Sequence, residues 1–166
     1  MSQVQVIDDG LLDELSRQAA ESRRLRQHLN LHASYDEPCQ RLLVAMEPKS
    51  YLTPHRHLVP SKPECFVGVR GLVAMVLFND DGSIQRIIKI GPTGNASACD
   101  IPPGVWHSVV CLESKSVFLE AKPGPYQPIE ADDFALWAPR EGGPGAMNYL
   151  EQLERKIAAD SLTVEK

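Results

Sequence analysis

The sequence predicts an all-β domain, a sandwich or barrel, with one helix at each end. Eight short β-type runs, broken by Pro and Gly at intervals of about 8–12 residues, predict the strands. The tetrapeptide Asn79-Asp80-Asp81-Gly82 has the composition of a hairpin turn between two of these runs. At 166 residues, with 43% hydrophobic and 23% charged residues, the chain has the size and composition of one folded domain.

Each element has its own local signal. The first helix follows Asp8 or Asp9, either of which is a suitable N-cap, and its apolar stripe begins with Leu11, Leu12 and Leu15. The predicted strands are Gln40–Glu47, Tyr51–His57, Glu64–Arg70, Leu72–Phe78, Ile84–Ile90, Ser97–Ile101, His107–Leu112 and Ser116–Ala121. The last helix covers Met147–Ala158, with Leu150, Leu153 and Ile157 on one face.

These elements predict three segments of a single domain. Residues 1–36 form an N-terminal helical segment that packs on the barrel, residues 37–127 form the barrel, and residues 128–166 form a C-terminal arm and helix. The arm is rich in Pro and Gly, which favour irregular structure.

Composition excludes several classes of partner. The net charge of −5 and the pI of about 5.5 argue against binding to nucleic acid or to an anionic membrane. The longest apolar run, Leu72–Phe78, is far shorter than the roughly 20 residues that span a bilayer. No basic segment of a signal peptide precedes Asp8, and the four cysteines form no CxxC pair, so we expect a cytoplasmic protein.

The sharpest chemical signal is His55-Arg56-His57. If residues 51–57 form a strand, the two imidazoles lie on one face and can bind one metal ion. Exposed His pairs without a metal are also common, so the pair alone is weak evidence.

Further residues strengthen this interpretation. Glu64 opens the next β-type run, and Pro102-Pro103-Gly104-Val105-Trp106-His107 places a third imidazole at the start of a strand. Three imidazoles and a carboxylate suit a divalent first-row transition metal, and the sequence does not separate Zn, Fe, Mn and Ni. The predicted ligands are His55, His57, Glu64 and His107.

In order and type, these residues resemble the two cupin motifs, HxH…E…G and PxGxxH. The resemblance implies a cupin double-stranded β-helix, that is, a jelly-roll barrel. The sequence departs from the usual pattern in three ways. Six residues separate His57 from Glu64, Glu47-Pro48 stands where the first motif opens with Gly, and Cys111 stands where the second motif often ends in Asn.

A narrower resemblance covers most of the chain, from Ser22 to Pro139. It is to the WbuC family of cupin-fold metalloproteins, and it rests on Ser22-Arg23-Arg24-Leu25-Arg26, Asn30-x-His32, Gln40-Arg41, Ser50-Tyr51-x-x-Pro54-His55-Arg56-His57, Gly124-Pro125-Tyr126 and Trp137-Ala138-Pro139. The family implies a metal-binding barrel. Some members are similar to proteins encoded among genes for surface-polysaccharide synthesis, which suggests a sugar-like ligand.

Four further residues are candidates for the site. Tyr51 shares the predicted face of the His pair and is either a proton donor or a core aromatic. Glu120 is either a general base inside the barrel or a solvated residue outside it. Arg41 is either an anion clamp or an exposed strand charge, and His32 is a candidate to fold over the barrel mouth and bind substrate.

Three functions remain open on the sequence. The first is a metal-dependent isomerase or epimerase acting on a sugar or sugar nucleotide in polysaccharide synthesis. The second is an iron-dependent oxygenase, and the third is a non-enzymatic cupin that binds a small ligand. In each case the expected partner is a small polar molecule, and analogy with other cupins suggests a homodimer.

Overall fold

Eight strands in two antiparallel sheets form the centre of the molecule, which a computed structural model describes over residues 4–58 and 60–161. The strands, in chain order, are β1 (Arg26–Asn30), β2 (Cys39–Met46), β3 (Glu64–Arg70), β4 (Val73–Phe78), β5 (Ile84–Ile90), β6 (Ala98–Ile101), β7 (Trp106–Cys111) and β8 (Ser116–Pro123). Helix α1 (Asp9–Glu21) precedes them, and a 3-10 turn (Ala131–Asp133) and helix α2 (Ala146–Ser161) follow. The predicted all-β barrel with a helix at each end is therefore confirmed. Residues 1–3 and 162–166 of the predicted terminal segments lie outside the described residues.

The two helices begin and pack as their sequences indicate. The Asp8 carboxylate accepts a hydrogen bond of 2.9 Å from the amide of Leu11, which satisfies one free donor at the start of α1. In α2 the stripe Leu150, Leu153 and Ile157 is buried. Both helices are thus amphipathic and cover a sheet.

The strand order sets two sheets face to face. The five-stranded sheet has the order β1-β2-β8-β3-β6, and the three-stranded sheet has the order β5-β4-β7. Their inner faces share one apolar cluster, in which Met46 and Phe66 pack with Met75 and Val109. This arrangement is a jelly roll, and its interior lies between the sheets.

The outer face of each sheet is covered by a helix. On the five-stranded sheet, Leu43 and Val117 pack against Leu15 of α1. On the three-stranded sheet, Val76 packs against the α2 stripe and the C-terminal arm. Strand β7 is buried along its whole length because both of its faces are covered.

Two elements differ from the prediction. Residues 51–57 are not a strand: only His55 forms bridges, one with His107 of β7 and one with Phe134 of the arm. Pro54 lacks an amide hydrogen for a ladder, and the segment is held between β7 and the arm instead. Conversely, strand β1 has no counterpart among the predicted strands, because its inner face carries polar residues and its sequence has no apolar alternation.

No helix among the described residues has the length and apolar character needed to cross a membrane.

Candidate metal centre

The structure brings His55, His57, Glu64 and His107 together. One potential ligand atom from each residue lies within 4.8 Å of the others. The cluster lies inside the barrel, near the first residues of β3 and β7, where His55 forms an antiparallel bridge with His107 of β7. The four residues that the motifs singled out are thus spatial neighbours, and their role as metal ligands stays a prediction.

Backbone hydrogen bonds hold the 51–57 segment in place. The amide of His55 donates to the carbonyl of His107 at 3.0 Å, and the amide of His107 donates back at 2.9 Å. On the other side, Arg56 donates its amide to Asp133 O at 2.9 Å. The His pair is therefore positioned by a short bridge rather than by a continuous strand.

The PxGxxH motif also contacts the HxH motif through the backbone. The amide of Gly104 donates to the carbonyl of His57 at 3.2 Å. Gly104 has a φ of +81°, in the left-handed region, and a Cβ there would meet Leu58 Cδ2 at 3.0 Å. The glycine of PxGxxH thus allows the turn that supports the HxH segment.

The ring orientations of two histidines are set by backbone carbonyls. The Nδ1 atom of His55 lies 3.1 Å from Thr53 O, and that of His107 lies 2.9 Å from Val105 O. A carbonyl oxygen only accepts, so each neutral ring carries its hydrogen on Nδ1 and leaves a lone pair on Nε2. Metal-binding histidines are commonly oriented by such an outer hydrogen bond.

Glu64 faces two of the three imidazoles. Its Oε1 lies 3.1 Å from His57 Nε2, and its Oε2 lies 3.0 Å from His107 Nε2. Despite these distances, both Nε2 atoms and Oε2 are buried and make no hydrogen bond among the described residues. An acceptor facing an acceptor at this distance is repulsive unless a cation or proton lies between them. The donor set therefore fits a divalent transition metal.

Burial and charge favour the protonation states that metal binding requires. Burial lowers the pKa of His55 well below its usual 6.5, which keeps its imidazole neutral. Burial alone would raise the pKa of Glu64, but His107, His57 and Lys122 outweigh it and hold the pKa well below the ordinary value. A neutral imidazole and an ionised carboxylate are the forms in which His55 and Glu64 would bind a metal.

Lys122 is a residue of the site that sequence reasoning missed. Its Nζ donates to Glu64 Oε1 at 2.9 Å and lies 2.5 Å from Glu120 Oε1. Burial would lower the pKa of Lys122, but the two carboxylates outweigh it and raise the pKa. The predicted strand ends at Ala121, one residue before Lys122, whereas β8 continues to Pro123. Extending its alternation places Phe118, Glu120 and Lys122 on one face.

Glu120 lies inside the barrel, which is one of its two predicted placements. Its side chain is 13% exposed, and it lines a cavity of about 290 Å³ together with apolar residues of both sheets. Its role as a base stays a prediction.

The other three candidates have different surroundings. Tyr51 is buried in the outer cluster beside Tyr149 and donates its hydroxyl to Pro139 O at 2.7 Å, so the shared face predicted for it and the His pair is wrong. Arg41 projects outward and pairs with Glu37 at 2.9 Å, the exposed strand charge of the two alternatives. His32 is buried next to β2, with its Nδ1 3.0 Å from the amide of Arg41.

Two cavities follow the inner face of β1 and β2. The first is the 290 Å³ cavity beside Glu120, and the second, of about 230 Å³, is lined by His32 and Lys122 among others. They share His28 and Leu42 in their walls. A larger cavity of about 640 Å³, between Arg24 and the start of α2, is lined by none of the four clustered residues.

Together, the two sheets form a jelly-roll barrel of the cupin type, with the His₃Glu cluster in its interior. A family model described as "Domain of unknown function (DUF6016)" matches residues 7–90, and the chain belongs to this family. A comparison with curated protein sequences finds no significant match. The narrower resemblance to the WbuC family stays a prediction.

Two named proteins are among the solved structures with a similar barrel. The structure of KdgF from Halomonas sp. has a TM-score of 0.48 and 19% identity, covering 61% of this chain and 82% of that chain. A variant of oxalate decarboxylase from Bacillus subtilis has a TM-score of 0.48 and 18% identity, covering 67% of this chain and 28% of that chain. This chain thus spans little more than a quarter of the oxalate decarboxylase.

Proposed function

We propose that His55, His57, Glu64 and His107 bind one divalent transition-metal ion, and that the loaded protein is an enzyme acting on a small, polar, sugar-like molecule. The reaction class is isomerisation or epimerisation beside a carbonyl group. The substrate enters along the two cavities on the inner face of β1 and β2.

One observation supports the proposal of a bound metal ion. The Nε2 atoms of His57 and His107 face the Glu64 carboxylate at 3.1 and 3.0 Å without hydrogen bonds. Leaving buried polar atoms unpaired costs about 1–3 kcal/mol each, so an ion bound among them would stabilise the cluster. A divalent ion satisfies all of these acceptors at once.

The chain supplies the remaining chemistry. A bound divalent ion would act as a Lewis acid on a carbonyl oxygen. Glu120 faces the cavity and would accept a proton from the carbon beside that carbonyl. Return of this proton to the former carbonyl carbon, while the adjacent hydroxyl proton moves to the carbonyl oxygen, completes an isomerisation. Delivery of a proton from water to the opposite face of the same carbon completes an epimerisation. Tyr51 is left out of this scheme because its hydroxyl is held by Pro139 O. The sugar class is supported by the resemblance to the WbuC family.

Metal analysis of purified protein tests the first half of the proposal. We expect about one equivalent of a transition metal per chain, lost in His57→Ala and kept in the matched control His28→Ala, whose imidazole is exposed. Retention of one equivalent at native affinity by the double variant His55→Ala/His57→Ala would place the site elsewhere. Retained binding in Glu64→Gln alone would indicate a three-histidine site.

Solvent deuterium exchange tests the second half. Sugars and sugar nucleotides are incubated in D₂O with loaded protein, and again after chelation. We expect metal-dependent exchange at a sugar carbon that is lost in Glu120→Gln and kept in Glu130→Gln, an exposed carboxylate outside the barrel. Metal-dependent oxygen consumption without exchange would instead identify an iron oxygenase. Ligand binding with neither activity would identify a non-enzymatic cupin.

A further inference from the structure

The 230 Å³ cavity next to the His₃Glu cluster is lined by both polar and aromatic side chains. We call it the tyrosine cavity; its wall consists of His28, Asn30, His32, Tyr35, Gln40, Leu42, Lys122 and Tyr126. Lys122 joins it directly to the cluster, since its Nζ is bonded to Glu64. The volume is below the roughly 300–1,000 Å³ of drug-sized sites, so its ligand is small.

Lys122 and His32 each offer a hydrogen-bond donor there. An ammonium has three donors, and the two carboxylate partners of Lys122 occupy two of them. The Lys122 side chain is 20% exposed, so the third donor is within reach of a ligand.

The second donor belongs to His32. The backbone amide of Arg41 donates to its Nδ1 at 3.0 Å, so the neutral ring carries its hydrogen on Nε2. Nδ1 also lies 2.9 Å from Arg41 O, but that oxygen already accepts from the amide of Leu31 at 2.8 Å. The Nε2 donor is buried and has no partner among the described residues. A ligand that supplies an acceptor oxygen would satisfy it.

The charges around the cluster favour an anion. The two negative charges of Glu64 and Glu120 are equal in number to the positive charges of Lys122 and Lys62. Lys122 pairs with both carboxylates, and the buried Lys62 donates its Nζ to Pro125 O at 2.8 Å. Arg56 is paired with Asp133. The charge of a bound divalent ion is then left uncompensated by these neighbouring groups, and an anionic ligand would balance it.

The wall favours a carboxylate over a phosphate. Arginine forks and glycine-rich loops, which commonly bind phosphate, are missing from the described residues of the lining. Instead, Tyr35 and Tyr126 stand at the surface with ring centroids 5.1 Å apart, and both rings are about half exposed. Their faces offer apolar contact to a carbon skeleton.

We infer that the tyrosine cavity binds a small hydroxylated carboxylate, of the sugar-acid class, with its carboxylate against Lys122 and His32 and its carbon skeleton against Tyr35 and Tyr126. This deepens the proposed function, because a metal ion bound to Glu64 contributes to the charge that selects the acid. The donors of the cavity wall are present without the ion.

Calorimetric titration of zinc-loaded protein with three matched sugars tests the inference. The probes are glucose, glucuronate and glucose 1-phosphate. We expect glucuronate to bind at least tenfold tighter than either other sugar. Lys122→Met should weaken glucuronate binding at least tenfold and leave glucose binding unchanged, whereas Lys115→Met, an exposed lysine at a distant turn, should change neither.

A second variant and a zinc assay keep the outcomes separate. Since Lys122→Met leaves Glu120 unpaired, Lys122→Met/Glu120→Gln removes both charges together and should show the same loss. Bound zinc with no preference for the acid overturns this inference and leaves the metal site standing. Absence of bound zinc, with no binding of iron, manganese or nickel in parallel loadings, overturns the proposed function; a Lys122-dependent preference for glucuronate in that protein would still support the cavity. Tighter binding of the phosphate overturns the carboxylate assignment.

Discussion

At the scale of single residues, the position of the His₃Glu cluster depends on neighbours that are not candidate ligands. Gly104 links the two motifs, because its amide supports the carbonyl of His57 and its φ of +81° excludes most side chains. Arg56 performs a similar task on the other side. Its guanidinium carbon lies 4.2 Å from the centroid of the Trp106 ring, and it pairs with Asp133. The segment between the two histidines is thus held from both sides.

Gly104→Ala should weaken metal binding as well as stability. A left-handed φ costs an alanine about 1–2 kcal/mol, and its Cβ would also press on Leu58 at 3.0 Å. Gly142→Ala is a matched control, since Gly142 has a φ of +72° with nothing within 4 Å of the added Cβ. We expect similar losses in denaturant unfolding, but a tenfold or greater loss of zinc affinity only for Gly104→Ala. Equal zinc affinities would refute the link between the two motifs.

Glu141 joins the C-terminal arm to β1 through two arginines. It lies 2.5 Å from Arg26, whose side chain is only 11% exposed, and 2.7 Å from Arg24. Burial alone would raise the pKa of Glu141, but the arginines outweigh it and hold the pKa below 4.5. Its contribution to stability is therefore present above pH 4.5 and lost as the pH falls through the folded-state value.

Glu141→Gln should destabilise the protein by about 1–2 kcal/mol at pH 7, because it leaves Arg26 without its charged partner. The difference from wild type should shrink as the pH is lowered below 4.5, where the wild-type carboxyl also becomes neutral. Urea unfolding at several pH values measures this. Glu130→Gln, an exposed carboxylate on the same arm, should show no such pH dependence, and a difference that stays constant with pH would contradict the prediction.

At the scale of elements, the two helices complete the burial of the sheets. Helix α2 lies on the outer face of the three-stranded sheet, where Leu150 is 1% exposed and packs with Val76 and Val110. Strand β7, which carries His107, belongs to that sheet. Helix packing on one face of β7 therefore supports the strand that presents a candidate ligand on the other.

Leu150→Ala should destabilise the protein by about 2–5 kcal/mol, the usual range for a fully buried leucine. Met147→Ala, on the same helix but 47% exposed, should cost far less. Chemical denaturation of both variants provides the comparison. Equal effects would mean that α2 does not depend on its predicted apolar stripe.

At the scale of the whole molecule, two sheets and two covering helices enclose an interior that is apolar in one part and polar in another. The apolar inner cluster borders the 290 Å³ cavity, while Glu64, Glu120 and Lys122 lie with the histidines. Buried polar groups that stay unpaired lower the stability of a fold. We therefore expect the metal-free cluster to lower the free energy of unfolding, and metal binding to raise it.

Zinc should raise the thermal midpoint of the wild-type protein and leave that of His57→Ala unchanged. At a hundredfold excess over Kd, one-site binding adds about 2.7 kcal/mol, which for a chain of this size corresponds to roughly 5–10 °C. Differential scanning calorimetry with zinc, and then with a chelator, measures the shift. An equal shift in His57→Ala would show that zinc acts at another site.

Local patterns in the sequence determined most of the strands, both helices and the identity of the clustered residues. A short unbroken run of apolar residues predicts a strand buried on both faces, as in β4, and the HxH and PxGxxH motifs depend only on short spacings. The pattern could not predict β1, because Arg26, His28 and Asn30 face a cavity rather than an apolar core. A polar inner face leaves no hydrophobic period to detect.

Only the tertiary structure decided which further residues join the site. Strand alternation places Tyr51 with the histidines, but its segment is a loop between β7 and the arm, where alternation does not apply. Lys122 joins the site because β8 extends past Ala121, and its partners Glu64 and Glu120 come from different strands. Pairing of β3 with β8, which are far apart in the chain, sets the contact of Lys122 with Glu64, and no local spacing encodes that contact.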